Sequence, residues 1–395
     1  MKIDKIIPGG QALATNDDGK KYFFWNALPG EEVTDYRVTK NKTHFVEAVA
    51  TAINNPSPYR VQPKDDCFLS TSPWQIMSYE CELRTKCALV VEMFREQGIE
   101  IPNLAIHTDG NEYFYRNKME YSLYFDLSQD KILPAFHERG SHRKIPIVSS
   151  SIECPEIFQA ANAIIDDLNA HHEPAYKYQS LMLRANQAGE ISGGLYENHQ
   201  PHPVFPNLRD KILGYEYSYS PNGFFQINLP VYEMALKEIK KYITTDKVLD
   251  LYSGVGTIGL SVARDKNLTL VECNTAAFGE MVKNMSTDST VEKINDNLFK
   301  SHHISGVLSK SEDVLGYIAP DSTVILDPPR AGCEAKLIDK LLEVLPPTII
   351  YLSCNPITQA RDVSRLLSKY HVETVQVFNF FPHTPHIENL IVLSL

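Results

Sequence analysis

The segment Val248-Leu249-Asp250-Leu251-Tyr252, followed by Gly254-Val255-Gly256-Thr257-Ile258-Gly259, most narrows the folds open to this chain. An apolar β-branched run, a glycine-rich turn and a helix-forming stretch come in that order, and the alternation then continues. Strand-like runs fall at 247–252, 268–272, 304–308, 324–326, 349–352, 372–378 and 390–393, with helix-like segments between the earlier ones. Near-continuous apolar strands separated by helices give a doubly wound, mostly parallel sheet, an α/β fold of Rossmann-like class. The last two runs lie close enough in sequence to finish the sheet as an antiparallel pair.

A chain of 395 residues, 43% apolar and 22% charged, has room for two or three domains. Residues 1–57 alternate short β-like runs with turn signals at Pro8-Gly9-Gly10, Asp17-Asp18-Gly19 and Pro29-Gly30, the pattern of a small β-barrel. The stretch Asn54-Asn55-Pro56-Ser57-Pro58 marks its end. Residues 58–220 begin with a helix over 77–97, where Met77, Leu83, Cys87, Val90, Val91 and Phe94 fall near helical spacing, and turn β-rich and aromatic from about 110. Residues 221–395 hold the alternating sheet. No apolar run reaches the roughly 18 residues a membrane helix needs, and Met1-Lys2-Ile3-Asp4 does not begin a signal peptide. The expectation is a cytoplasmic protein, with a monomer as the simplest state. Seven scattered cysteines without a CxxC pair fit reduced thiols. A net charge of −11 argues against a broad, non-specific nucleic-acid coat. It leaves room for a local basic groove at Arg116 and Lys118, or at Arg139, His142, Arg143 and Lys144.

The glycine turn opens onto the crevice where ligands bind in such sheets. Glu272 ends the next strand, placed to accept hydrogen bonds from two ribose hydroxyls. Alone, the motif serves a dinucleotide and S-adenosylmethionine alike, and glycines used only for helix–strand packing are the bland alternative. The fourth strand decides between them. It ends in Asp327-Pro328-Pro329-Arg330, an acid followed by two rigid prolines at the crevice. Nicotinamide chemistry has no need of such a wall. Amino-group methyltransferases carry a related loop, but with an aromatic where Arg330 stands.

The next strand, Ile349-Ile350-Tyr351-Leu352, runs into Ser353-Cys354-Asn355-Pro356 and a helix-like stretch to Leu367. Asn355 suits the N-cap and Pro356 the first helical position, so a thiol is delivered to a helix N-terminus. Free N–H groups and the positive dipole end would favour thiolate there, making Cys354 a candidate nucleophile. A buried structural cysteine is the competing reading.

Taken together, Leu352-Ser353-Cys354-Asn355-Pro356 with Ala360-Arg361-Asp362, Asp327-Pro328-Pro329-Arg330, and Phe381-Pro382-His383-Thr384-Pro385-His386-Ile387-Glu388 resemble the RNA 5-methyluridine methyltransferases, in the family's order. Phe224-Phe225-Gln226-Ile227-Asn228 resembles that family's lead-in to the catalytic domain, Tyr115–Lys118 is similar to a central-domain element, and residues 1–57 resemble its TRAM module, an OB-like RNA-binding barrel. The resemblance implies S-adenosylmethionine as cofactor, held by Gln226, Tyr252, Gly254, Gly256, Thr257, Glu272 and Asp327. Thr257 stands where some members have asparagine, and either Glu312 or Asp313 would lie near the adenine. It further implies Cys354 as nucleophile, Glu388 as general base, and a structured ribosomal or transfer RNA as partner. Tyr113, Phe114 and Tyr115 serve either to stack on bases or as core, and His383 and His386 as loop scaffold. Some members bind a [4Fe–4S] cluster through four cysteines. Cys67 and Cys154 match the outer two, but the inner pair falls within 69–75, which has no cysteine, and Cys81 and Cys87 are wrongly spaced, so no cluster is expected. The rival functions are amino-group methylation, opposed by Arg330 and the Cys354/Glu388 pair, and a non-catalytic RNA-binding factor.

Overall fold

The computed structural model describes residues 1–101, 104–202, 205–286, 291–309 and 314–395. The N-terminal sheet contains β1 (Lys5–Ile6), β2 (Ala12–Thr15), β3 (Lys21–Trp25), β4 (Glu32–Asn41) and β5 (Phe45–Asn54), in the order β1-β2-β3-β5-β4. Register shifts along β4 bend it around the sheet. Its curved inner face closes over Ile3, Ala14, Phe24, Val33 and Ala48.

A helix at Tyr79–Arg95 and β6 (Ala105–His107) follow. The central sheet then contains β7 (Lys118–Asp126), β8 (Lys131–His137), β9 (Lys144–Pro146), β10 (Ser180–Ala185), β11 (Ile191–Glu197) and β12 (Gln200–His202), in the order β12-β11-β10-β7-β8-β9. The helix Pro155–Ala170 packs against this sheet through Ile157, Ala161, Ile165 and Leu168. A hairpin of β13 (Leu208–Ile212) and β14 (Tyr215–Tyr219) leads to the helix Leu229–Lys240.

The large sheet takes β15 (Lys247–Leu251), β16 (Asn267–Glu272), β17 (Glu292–Asn295), β18 (Leu298–Ser301), β19 (Ile304–Leu308), β20 (Ser322–Leu326), β21 (Thr348–Ser353), β22 (His371–Phe378) and β23 (Glu388–Ser394). Together with β6 they form ten strands in the order β17-β18-β19-β16-β15-β20-β21-β23-β22-β6. All seven expected strands are present. β19, β16, β15, β20 and β21 are parallel, and β22 and β23 are the antiparallel finish. The strand β21, Thr-Ile-Ile-Tyr-Leu-Ser, is buried at every position, as a central strand covered on both faces must be.

The expected range 58–220 does not pack as one unit. The helix Tyr79–Arg95 buries Leu89, Val90, Met93 and Phe94 in the same core as Leu249, Val324 and Ile349, and β6 pairs in parallel with β22. The hairpin β13–β14 likewise sits in the core of the large sheet, through Leu208, Ile212, Tyr217 and Tyr219. That core therefore reaches back past the expected boundary at 221, and takes in a helix from far earlier in the chain.

Candidate active site

Because β16, β15, β20 and β21 run parallel, their carboxyl ends share one edge. The registers Leu251↔Val271 and Leu251↔Leu326 set Tyr252 level with Glu272 and Asp327, one residue past the paired ends. β23 returns antiparallel to β21 with Ser353 opposite Asn389. One step further brings Cys354 across from Glu388, whose charge adds to the rise of the Cys354 thiol.

The turn after β15 places Gly254 (φ +57) and Gly256 (φ +86) in the left-handed region. A Cβ at Gly256 would come within 2.9 Å of Leu260 Cδ1 and 3.0 Å of Met281 Cγ, so only glycine fits. Tyr252 is also left-handed, at φ +63, a strained conformation for a bulky residue and one that clusters at functional sites. The Glu272 carboxylate accepts from the N–H groups of Gly254 (2.8 Å), Cys273 (2.8 Å) and Asn274 (2.6 Å). A carboxylate has about four acceptor positions, so roughly one is left for a ligand and the rest shape the turn.

A cavity of about 570 Å³ lies beside this turn, lined by Leu251, Tyr252, Val271, Glu272, Cys273, Pro329 and Leu337 among others. Mostly apolar with a few polar groups, it is the kind of hollow that takes a flat ligand edge-on. On the other side of Tyr252 a smaller hollow of about 40 Å³ is bounded by Phe224, Gln226, Tyr232, Gly254, Thr257 and Asp327. Of the seven expected cofactor residues, all but Gly256 line one hollow or the other. Glu312 and Asp313 lie outside the described residues. Asp327 keeps part of its surface open at the smaller hollow, yet its carboxyl group lies deep enough that burial pushes its pKa up to about 7. Its carboxylate takes no hydrogen bond from any described residue, leaving its acceptor positions for a ligand.

Two residues that sequence reasoning passed over support this region. Asp250, fully buried in β15, accepts the Gly259 N–H with Oδ2 (2.8 Å), while Oδ1 has no partner among the described residues. Burial, opposed by that N–H bond and reinforced by Asp327 and Glu272, pushes its pKa up to about 8. An acid inside an otherwise apolar strand was the available signal. Arg184, fully buried in β10, donates to the carbonyls of Phe225 (2.6 Å) and Gln226 (3.1 Å) and lies over the Tyr219 and Phe225 rings. It fixes the segment that carries Gln226. Nothing local in the sequence ties residue 184 to residue 226.

Cys354 sits where expected, with the Asn355 side chain accepting the Ile357 N–H (3.3 Å) at the start of the helix Pro356–Leu366. Asn355 Nδ2 also donates to the Arg330 carbonyl (2.8 Å), tying the Asp-Pro-Pro-Arg loop to the helix. The helix end does not lower the Cys354 thiol. Burial, with Glu388 and Asp327 adding to it, pushes the Cys354 thiol up to about 11, while Arg330 opposes the rise through its charge and a hydrogen bond. The helix end is outweighed because the cysteine precedes the cap and faces two carboxyl groups. Glu388, almost fully buried, is pushed well above the carboxylate range by burial and then by Asp327, with Arg330 again opposing. Burial thus favours the protonated form of both groups.

The loop before Glu388 is clamped from several sides. Lys86, buried in the helix Tyr79–Arg95, donates to Asn379 Oδ1 (2.6 Å) and the Phe381 carbonyl (3.0 Å), and pairs with Glu82 (2.8 Å). Glu82 accepts the His383 N–H (2.8 Å), and the Tyr115 hydroxyl donates to the Pro382 carbonyl (2.9 Å). His383 lies buried between Glu82 and Glu112. His386, whose pKa burial and then Arg330 push down to about 4, stays neutral. Of the three aromatic candidates, Tyr115 is core and Phe114 is half exposed, while Tyr113 packs on His383 at 4.6 Å between centroids.

The basic residues are largely engaged within the chain. Arg143 pairs with Glu138, and Lys144 donates to the Leu123 carbonyl. Arg139 caps the Leu69 carbonyl and lies over Trp25, and Lys118 donates to Asn222 and Gly223. Burial pushes Cys67 up to about 12 and Cys154 to about 11, so both are neutral thiols. Beside Cys67 the Asp65 carboxylate is saturated by Ser151 and Gln75. Among the described residues no group of three or more His, Cys, Asp or Glu is arranged to hold a metal ion, and no helix is long and apolar enough to cross a membrane.

The chain is similar to known proteins along its length. Residues 207–395 match the family described as tRNA (Uracil-5-)-methyltransferase. An uncharacterized RNA methyltransferase of Lactiplantibacillus plantarum is 28% identical, the match covering 95% of this chain and 93% of that protein. One from Bacillus anthracis is also 28% identical, over 97% and 95% of the two chains. Among solved structures, the Pyrococcus abyssi tRNA (uracil-54, C5)-methyltransferase in complex with S-adenosyl-L-homocysteine is similar over the full length of both chains, with a TM-score of 0.75 and 22% identity. The fold is thus that of the Pyrococcus methyltransferase, and residues 207–395 are similar in sequence to the tRNA (Uracil-5-)-methyltransferase family.

Proposed function

We propose that the protein transfers a methyl group from S-adenosylmethionine to C5 of a uridine in structured RNA. The observation that carries this reading is the facing of Cys354 and Glu388 across β21 and β23, with Asp327 beside both. The two hollows either side of Tyr252 suit the cofactor. Glu272, at the larger hollow, would hold the ribose of the cofactor, and Asp327, with open acceptors at the smaller, would hold its ammonium group. When bound, the cofactor supplies an electrophilic methyl on a positively charged sulfur.

Uracil C5 is too weak a nucleophile unaided. Cys354 Sγ, having lost its proton, adds to C6 and leaves electron density at C5, which takes the methyl group. Glu388 then accepts the C5 proton, the C5–C6 double bond re-forms, and the C6–S bond breaks with the electrons returning to sulfur. Both acids must first be deprotonated, and Arg330 is the fixed charge in this chain that works in that direction. The target base must leave its stack to reach them. The N-terminal sheet serves as a TRAM-like, OB-related RNA-binding module and the central sheet as the RNA-recognition domain. The target is a loop uridine of transfer RNA or 23S ribosomal RNA. Cys67 and Cys154 hold no cluster in this reading, since a hydrogen-bonded Asp65–Gln75–Ser151 group stands beside Cys67.

The test is methylation of separate transfer and ribosomal RNA pools with tritiated S-adenosylmethionine, followed by nucleoside analysis. Label in 5-methyluridine from one pool bears the reading out. Label only in an N-methylated base, or in neither pool, overturns it.

A further inference from the structure

The loop that carries Glu388 is touched from outside by the tip of the N-terminal module. In the turn between β1 and β2, Gly10 lies against Pro385, so closely that a Cβ at Gly10 would fall 2.2 Å from Pro385 Cβ. The Gly10 carbonyl accepts the indole N–H of buried Trp74 (3.0 Å), and the Trp74 backbone N–H donates to the His383 carbonyl (3.0 Å). From the other side the loop hangs on Lys86, Glu82 and Tyr115. Pro385 is three residues from Glu388. A shift at the Gly10 contact thus acts on a short segment whose far end is pinned into β23.

We infer that the Gly10 turn and Trp74 act together as a positioning latch that holds the His383–Pro385 segment in place, so that Glu388 meets the C5 proton. The N-terminal module on this account sets the rate of the last chemical step, besides any part it has in holding RNA. The inference rests on Glu388 being the base. It is independent of which RNA is the substrate.

The chain supplies its own control. Gly9 and Gly10 have nearly the same backbone, φ +94 and +93, but a Cβ at Gly9 meets nothing within 4 Å. Gly9→Ala and Gly10→Ala therefore meet the same left-handed φ, and only the second pushes on Pro385. Trp74→Phe removes the N–H donor to Gly10 while keeping a ring in the core. The assay uses the full-length protein with whichever RNA pool accepts methyl groups. It reads kcat, RNA affinity by filter binding, thermal midpoint, and the denaturant-stable protein–RNA complex.

Because a misplacement of about 1 Å costs up to about 100-fold in rate, Gly10→Ala and Trp74→Phe are expected to lower kcat about tenfold or more. They should accumulate the covalent complex and keep RNA affinity within about twofold, with Gly9→Ala like wild type. Three results overturn the inference. Equal loss in Gly9→Ala and Gly10→Ala would assign the effect to backbone strain. Weaker RNA binding at unchanged kcat would make the module a tether only. Slower turnover without accumulated complex would place the defect before proton removal. Glu388→Gln, run alongside, separates this failure from that of the base assignment. Free methylated product from it at the wild-type rate rejects the base itself, whereas accumulated complex from it but not from Gly10→Ala rejects only the latch.

Discussion

Replacing Arg330 by glutamine isolates the charge that keeps Cys354 within reach of deprotonation. The Arg330 carbonyl, which holds Asn355 Nδ2 (2.8 Å) and the Thr358 hydroxyl (3.2 Å), stays in place, so the loop keeps its anchor. The thiol stands at about 11 with Arg330 present, which leaves about one thiolate in a thousand at pH 8. Losing a partly exposed cation at hydrogen-bond range raises a neighbouring acid by about one pKa unit, once solvent screening is allowed for. The thiolate fraction below about pH 10 should therefore fall about tenfold. The assay is alkylation of the cofactor-free protein by iodoacetamide between pH 7 and 11, followed by mass spectrometry of the Cys354 peptide. The logarithm of the rate should rise with pH at about unit slope up to about pH 10 and bend over near pH 11, and below about pH 10 the Arg330→Gln line should run parallel and about tenfold lower. A wild-type plateau near pH 7, or two coincident lines, would refute the electrostatic account.

Further outcomes follow from the same structure. Arg184→Met leaves the Phe225 and Gln226 carbonyls without their donors, each worth about 1–3 kcal/mol when buried, and should weaken S-adenosylmethionine binding about tenfold by calorimetry with RNA affinity unchanged. Equal affinity would free the Gln226 segment from Arg184. The folded state holds the Asp250 proton up to about pH 8, whereas the unfolded chain releases it near 4, so Asp250 adds stability at low pH that is lost as pH rises through that window. Asp250→Asn should flatten the fall in urea midpoint between about pH 4 and 8, and an unaltered slope would reject the burial argument. Asn355→Ala removes both the helix cap and the link to Arg330, and should cost about 1 kcal/mol of stability together with slower adduct formation. A stability loss with adduct formation unchanged would leave Asn355 a cap alone.

The strands of the large sheet were legible because burial on both faces forces near-continuous apolar runs, as in β20 and β21. The hairpin β17–β18 was not, because β17 is exposed at every position and carries no apolar alternation. Strand β6 was hidden for another reason: three residues add to the sheet from more than 200 positions away, guided only by tertiary packing. The residues proposed for the site come from motif order, and the shared carboxyl edge brings Tyr252, Glu272 and Asp327 level. Their protonation could not be named. A cysteine beside a helix start reads as acidic in isolation, and only the fold reveals two carboxyl groups facing it. Arg184, Lys86 and Glu82 escaped for the same reason, since each supports a segment remote in sequence.

The most direct test of the account is the Glu388→Gln protein incubated with S-adenosylmethionine and the accepting RNA, then digested and read by mass spectrometry. The account predicts a denaturant-stable complex in which a nucleotide bearing one added methyl group is attached to the Cys354 peptide, with little free 5-methyluridine. Free 5-methyluridine formed at the wild-type rate, or attachment at any other cysteine, would contradict it.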